Sequence, residues 1–371
     1  MKTMRIGIDG QARSGGKRRG FSTYLGNLLD ALRSRYPEHE FIEWSCEQGP
    51  GWRIPNQLWW DQAQVPWRAF REHVAVLHTP AFSGPIMRPC PLVLTVHDLL
   101  YRRYPGWLST RRAQWYWGRW IPFTARWASA VIAPSQATKA DLVSLAGVDP
   151  DRVHVIPEAV DAHFLKRPSS AEIQAYRIRK GLISSYILYV GIIDRRKDLG
   201  SLLRAYAVMR ANQKDVRLVI AGHIIPGRSD LPSDIRALGL GDEVVLPGYI
   251  PDEELPLLYA GASLFVYPSR WEGFGLPPLE AMALGVPVIT YRVSSLPEVV
   301  GDAAVLIDPP FKEEALASAI ARVLEDMPFR AGLIERGVRR AAEFSWERAA
   351  DQTMAVYRRC LERARSGKGK P

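Results

Sequence analysis

Two glutamates, Glu272 and Glu280, bracket the run Gly273-Phe274-Gly275-Leu276-Pro277-Pro278-Leu279. Gly273 and Gly275 predict a flexible turn. Pro277 and Pro278 suit the first positions of a helix, where a missing N–H costs nothing, and Gly285 suits its end. A helix over Leu279–Leu284, with Glu280 in its first turn, is therefore expected between two buried-strand patterns, Ser263–Tyr267 and Val286–Thr290. That order presents backbone N–H groups and the positive end of a helix to an anion. Carboxylates make sense beside an anion when they accept hydrogen bonds from hydroxyls, and ribose and sugar hydroxyls are the obvious donors.

A second cluster, Asp194-Arg195-Arg196-Lys197-Asp198-Leu199, follows the strand pattern Ser185–Gly191. Three consecutive cations at a helix start oppose the macrodipole by about 0.3–1 kcal/mol each when unpaired. They fit if an anion arrives there. His97 and Asp98 close the strand pattern Leu92–Asp98, on the edge where open α/β sheets bind ligands. Near the start of the chain, the strand Arg5–Asp9 leads into a glycine-bearing loop, 11–21. A helix with apolar Tyr24, Leu25, Leu28, Leu29 and Leu32 follows. Gly15, Gly16 and Gly20 do not match G-x-G-x-x-G, and no Walker lysine follows. On its own spacing that loop is a plain βα connection as readily as a phosphate cradle.

The run from Glu272 to Glu280 resembles the E-x7-E signature of retaining glycosyltransferases, specifically glycosyltransferase family 4 of the GT-B fold. Its continuation to Ile289, with Ser294–Asp302, resembles the bacterial polysaccharide mannosyltransferase branch. The match runs through most of the C-terminal half and thinly through the N-terminal half. The resemblance implies an α/β protein with two Rossmann-like doubly wound domains facing a central cleft. It implies transfer of a hexose, with retention, from a nucleotide-diphosphate sugar to a hydroxyl of a glycan or lipid-linked acceptor. GDP-mannose is the favoured donor, and a UDP-hexose remains the alternative.

By the same resemblance Arg196 and Lys197 hold the donor diphosphate, together with the N–H groups of Gly273, Phe274, Gly275 and Leu276. Glu280 accepts the ribose hydroxyls. Glu272 holds sugar hydroxyls and helps stabilise the oxocarbenium-like centre, and His97 contacts the sugar ring. Tyr249 and Ile250 lie near the nucleobase, and Gly15 and Gly16 line the cleft. Two positions depart from the family pattern. Ile192 replaces an arginine that follows the glycine in many relatives, which leaves the load to Arg195 or Arg196. Glu158-Ala159 stands where relatives often carry Asn-Gly. No Asp-x-Asp pair sits in a strand-end loop, so no metal and no cofactor beyond the donor is expected.

At 371 residues, with 47% hydrophobic and 24% charged positions, the chain has material for two cores. The expected division is 1–167, then 168–344 as the nucleotide-sugar domain, with Pro168, Ser169 and Ser170 in a linker 166–172. Residues 345–371 form a last helix crossing back to the first domain, plus a basic tail. Strands alternate with helices throughout, which predicts parallel sheets. No apolar run spans a bilayer, the start carries no apolar leader, and three scattered cysteines suggest a reducing cytoplasm.

A formal charge of +10 implies an anionic partner. The stretch Tyr101–Trp127 interleaves six arginines with eight tyrosines and tryptophans and holds no acidic residue. That is the composition of peripheral membrane-interface segments. It is equally the composition of packed helices with Trp inward and Arg outward. Nothing like a helix-turn-helix, RNP or zinc-knuckle pattern supports a nucleic-acid partner. A GT-B-fold nucleotide-sugar epimerase or phosphorylase, and a non-catalytic binder built on positive charge, remain rivals. Product analysis and salt-dependent oligonucleotide binding separate them.

Overall fold

The computed structural model describes residues 3–11, 20–45, 54–80, 83–108, 110–210, 215–225 and 229–367. Gly15 and Gly16 lie outside the described residues. Two compact units emerge, residues 1–158 with 345–371, and residues 159–344. The contacts thus divide the chain after Glu158. Within the stretch 166–172, Ser169 caps the helix Ser170–Arg179 in a capping box with Glu172, which ties those residues to the second unit.

The first unit is a six-stranded sheet in the order β2-β1-β3-β4-β5-β6. Its strands are β1 (Arg5–Asp9), β2 (Glu40–Trp44), β3 (Val76–Thr79), β4 (Leu92–Thr95), β5 (Ala130–Ala133) and β6 (Val153–Val155). All pairings are parallel. Every residue of β3, β4 and β5 is buried, as expected for strands covered by helices on both faces. The helix Phe21–Arg35 buries Tyr24, Leu25, Leu28, Leu29 and Leu32. The C-terminal helix Trp346–Arg365 packs beside it, fastened by Arg35 to Asp351 at 2.6 and 2.7 Å. A buried chain from Tyr357 through His78 to Thr95 joins that helix to β3 and β4.

The second unit repeats the plan with β7 (Ser185–Val190), β8 (Val216–Ala221), β9 (Val244–Gly248), β10 (Leu264–Tyr267), β11 (Val288–Tyr291) and β12 (Val305–Ile307). The order is β12-β11-β10-β7-β8-β9, again all parallel. Counted from its own first strand this is the doubly wound order in which the chain reverses between β7 and β10. Crevices outside the carboxyl ends of such a pair bind ligands. Among the described residues no helix is long and apolar enough to cross a membrane.

Candidate functional site

The reversal point fixes the location. β7 delivers Asp194–Lys197 and β10 delivers Ser269–Glu272, so the two sequence clusters meet on one sheet edge. Asp194 opens the tight turn Arg195–Lys197 by accepting from the Arg196 backbone N–H at 3.1 Å. Arg195 points to solvent, whereas the Arg196 guanidinium lies 3.7 Å from the Glu272 carboxylate. Arg196 is therefore the arginine that faces the site.

Lys197 is 3% exposed. Its ammonium donates to the Tyr267 hydroxyl at 2.5 Å and to Glu272 Oε1, and rests 4.6 Å above the Tyr267 ring. Burial, helped by the neighbouring Arg196, brings the Lys197 amine down to about 8, against the pull of Glu272. Glu272 also accepts from Tyr267 at 3.0 Å and from Ser269. Burial acts to raise its carboxyl, but Lys197 and Arg196 overrule it and set the group at about 2. The site is a preformed cluster in which Arg196 and Lys197 converge on Glu272, with the Asp194 carboxylate 3.8 Å from the Arg196 guanidinium.

The loop after Glu272 is held from behind. Ser294 accepts from the Glu272 N–H at 2.9 Å, and Ser295 donates to the carbonyls of Glu272 and Phe274 at 3.0 and 2.7 Å. Gly275 has φ 114, and a Cβ there would meet Leu296 at 2.9 Å, so only glycine fits this turn. The helix runs Leu276–Ala283, and its N-cap residue, Gly275, has no side chain to cap it. It starts earlier than the prolines alone implied, because Leu276 already occupies the first helical position. Glu280 is consequently its fifth residue and not in its first turn. The Tyr259 hydroxyl donates to Glu280 Oε2 at 2.8 Å.

The pair expected near a nucleobase separates. Tyr249 is 65% exposed, while the Ile250 side chain is buried in the core, which leaves only its backbone for a ligand.

Asp198 escaped the sequence reading. It adopts φ 49, a left-handed conformation that Asp tolerates. Its Oδ2 accepts from Arg270 at 2.8 and 2.9 Å and from the Tyr291 hydroxyl at 3.3 Å; its Oδ1 accepts from Ser201. Arg270 N–H in turn donates to the Arg196 carbonyl at 2.9 Å. Asp198 thus ties the cation turn to the β10 loop and to β11. The available signal was a small acid directly after three cations, where a left-handed residue must end the turn. Asp198→Ala is expected to lower kcat/KM about ten- to hundredfold by displacing Arg196 and Lys197. Asp198→Asn, which keeps both the backbone tolerance and the acceptor oxygen, should recover most of the loss. Wild-type kinetics for the alanine variant would remove Asp198 from this role.

In the first unit, His97 follows β4 and is 7% exposed. Its Nε2 faces the Pro80 carbonyl at 3.0 Å, which only accepts, so Nε2 carries a proton. Its Nδ1 lies 2.9 Å from Glu158 Oε1. Glu158 is one of the two positions that depart from the family pattern, and its carboxyl orients the ring. Tyr24 meets the same ring edge-on, with ring centres 4.7 Å apart.

A buried acid pair was also missed. Asp9 accepts from Trp60 at 2.8 Å, and burial pushes its carboxyl up to about 6. Asp61 accepts from Gln57 and Ser83, and burial with the Asp9 charge raises it well above the usual range. Ser83 reaches the Tyr116 hydroxyl at 2.7 Å, which anchors the Arg/Trp stretch to the segment after β3 and to Asp61.

The family description "Glycosyltransferase Family 4" matches residues 19–164, and "Glycosyl transferases group 1" matches residues 174–340. The chain is 33% identical over 288 residues to O-antigen chain mannosyltransferase B of Escherichia coli, covering 76% of this chain and 74% of that protein. It is 32% identical to an MMP alpha-(1->4)-mannosyltransferase of Mycolicibacterium hassiacum, covering 74% and 66%. Among solved structures, Anabaena HepE in complex with UDP and glucose superposes with a TM-score of 0.76 at 21% identity, over 96% of this chain and all of that one. WaaG, a glycosyltransferase involved in lipopolysaccharide biosynthesis, superposes with a TM-score of 0.74 at 17% identity, over 95% and 99%. These likenesses give the GT-B fold.

Proposed function

The chain belongs to glycosyltransferase family 4 and is a hexosyltransferase, and from that premise we propose that it moves mannose from GDP-mannose, with retention, to a hydroxyl of a glycan or lipid-linked acceptor. The observation that carries the reading is the cluster of Arg196, Lys197 and Glu272 beside the uncapped helix start at Leu276. A nucleoside diphosphate is the doubly charged anion that two adjacent cations and a helix N-terminus suit together. The mannosyltransferase names of the two curated relatives support the sugar.

In this mechanism the bond from the anomeric carbon to the β-phosphate oxygen breaks and the acceptor oxygen bonds to that carbon. The acceptor's proton leaves on the departing phosphate. Arg196, Lys197 and the N–H groups of residues 273–276 stabilise the growing phosphate charge, usually the largest catalytic contribution. Glu272 accepts sugar hydroxyls and faces the oxocarbenium-like carbon. Glu280 accepts the ribose hydroxyls through its carboxylate, and the backbone at Ile250 contacts the base. His97, oriented by Glu158, contacts the sugar ring. Because side-chain cations carry the charge neutralisation, transfer should persist in a chelator. The protein is placed on the cytoplasmic face of a membrane, held through Tyr101–Trp127.

A panel of GDP-mannose, GDP, UDP-glucose and UDP in thermal unfolding tests the donor. Ligand at about a hundredfold over Kd stabilises by about 2.7 kcal/mol, so GDP-mannose should raise Tm clearly above the UDP compounds. A rise with UDP-glucose alone would transfer the reading to a UDP-hexose donor, in keeping with the UDP bound in HepE. Sugar rearranged or released with donor alone, and no glycosylated acceptor, would overturn transfer. NMR of the new linkage reads its configuration.

A further inference from the structure

A neutral hydroxyl, that of Tyr267, sits between the cation and the carboxylate of the second unit's site. Tyr267 ends β10 and is 2% exposed. Its ring lies nearly parallel to that of Tyr189 on β7, with centres 5.8 Å apart and planes 14° from parallel. Phe265, two residues earlier on β10, stacks on it at 5.9 Å. The backbone is pinned as well, because the Thr290 hydroxyl on β11 donates to the Tyr267 carbonyl at 2.7 Å. Three strands therefore fix where the phenol oxygen falls.

That oxygen accepts from the Lys197 ammonium at 2.5 Å and donates to Glu272 Oε1 at 3.0 Å. Oε1 also accepts from Lys197 directly and from Ser269. Three donors on Oε1 turn the other oxygen, Oε2, toward the Arg196 guanidinium at 3.7 Å. An ammonium has three donors. One goes to Tyr267 and one to Glu272, and the transfer reading gives the third to phosphate. A hydroxyl suits this place because it can serve a cation and an anion at once without adding a buried charge. Among the described residues, the charged and titratable groups acting on Lys197 and this hydroxyl are Asp194 and Arg196 on the same turn, Tyr189 on β7, and Glu272 after β10. Burial and Glu272 raise the Tyr267 phenol well above its ordinary 10, so it keeps its proton where the amine titrates.

We propose that Tyr267 is a positioning residue for sugar transfer, its hydroxyl holding the Lys197 ammonium charged and aimed at the donor diphosphate while turning Glu272 to present Oε2. It acts through those two side chains and does not touch the donor. The inference rests on the donor reading given above, and its first test reads Lys197 without any donor, so either can fail while the other stands.

Tyr267→Phe deletes the hydroxyl and leaves the stacked ring. A hydrogen bond accepted from a buried cation favours its charged form, so the Lys197 amine, at about 8 in the wild type, should fall by about one further pH unit. NMR titration of the Lys197 side chain in ligand-free protein, assigned by the signal missing from Lys197→Arg, reads this directly. With nucleotide sugar, the alkaline decline in kcat/KM should move to lower pH by the same amount. The loss should be about threefold at pH 6 and about tenfold greater above pH 9. Tyr189→Phe removes a hydroxyl from the same stack, one that donates to the Ile192 carbonyl at 3.0 Å. Its decline should stay at the wild-type pH. Adding Tyr267→Phe to Lys197→Arg should change activity by one factor at every pH, because arginine does not titrate. Circular dichroism checks that each variant is folded. An unmoved Lys197 titration in Tyr267→Phe, a uniform loss with the decline still at the wild-type pH, or an equal shift in Tyr189→Phe overturns the proposal. A shifted titration in a protein that binds no GDP- or UDP-sugar upholds the hold on Lys197 and overturns the donor reading instead.

Discussion

Glu272→Gln is expected to lower kcat/KM for sugar transfer by about a hundredfold or more. The substitution keeps the shape of the side chain and removes its charge. Lys197 and Arg196 then lose the carboxylate that aims them, and the sugar hydroxyls and the cationic carbon lose their acceptor. Stability should fall as well, because Lys197 is left as a buried cation without a counter-charge. Breaking such a pair from one side costs about 3–5 kcal/mol. The pH dependence separates the two effects. The carboxyl is set at about 2 against the ordinary 4.5, so its stabilisation is present in full above the ordinary value and is lost as pH falls through about 2. The gap in unfolding free energy between wild type and Glu272→Gln should therefore close over that acid range. A gap that stays constant down to pH 2, or a variant with near wild-type turnover, would contradict the assignment.

Lys197→Met should cost a similar factor in kcat/KM, with the loss seen for every nucleotide-sugar donor, since the contact proposed for it is with phosphate. In the free protein the amine is brought down to about 8 from 10.5 by burial. As pH rises through about 8 the site loses this cation, so kcat/KM should decline on the alkaline side with an apparent pKa near 8. The stability sign is opposite. Between about 8 and 10.5 the unfolded chain binds the proton that the folded one has released, so this group makes the free protein more stable as pH rises. An incoming diphosphate draws the proton back, and calorimetry in two buffers should show proton uptake on donor binding at alkaline pH. Lys197→Arg keeps a charge that does not titrate. Its residual activity should lack the alkaline decline. A decline that persists in Lys197→Arg would assign the titration to another group.

The sequence by itself determined the local make-up of the loop and helix start that follow β10. Residue types and short spacings place Glu272, the glycine turn and the helix prolines within one connection, and local physics suffices for a strand, a loop and a helix start. The cations Arg196 and Lys197 were legible for the same reason. Three positive charges at a helix start conflict with the dipole, and that conflict is visible without coordinates.

Only the tertiary structure decided which groups meet. The joining of residues 196–198 to 267–272 depends on β7 lying beside β10, a long-range strand order that no local pattern encodes. That order turned Asp198 into a hub, selected Arg196 over Arg195, and placed Tyr267 under the Lys197 ammonium. The helix start at Leu276 put Glu280 beyond the first helical turn, and packing took the Ile250 side chain into the core. In the first unit, Glu158 read as a departure from a family pattern until folding brought it against His97. The Asp9 and Asp61 pair gave no sequence signal because its members come from separate elements. Composition marked the Arg/Trp stretch, yet whether each ring faced core or solvent depended on packing against β4, β5 and β6, since a partly buried helix shows its faces only after its neighbours are in place.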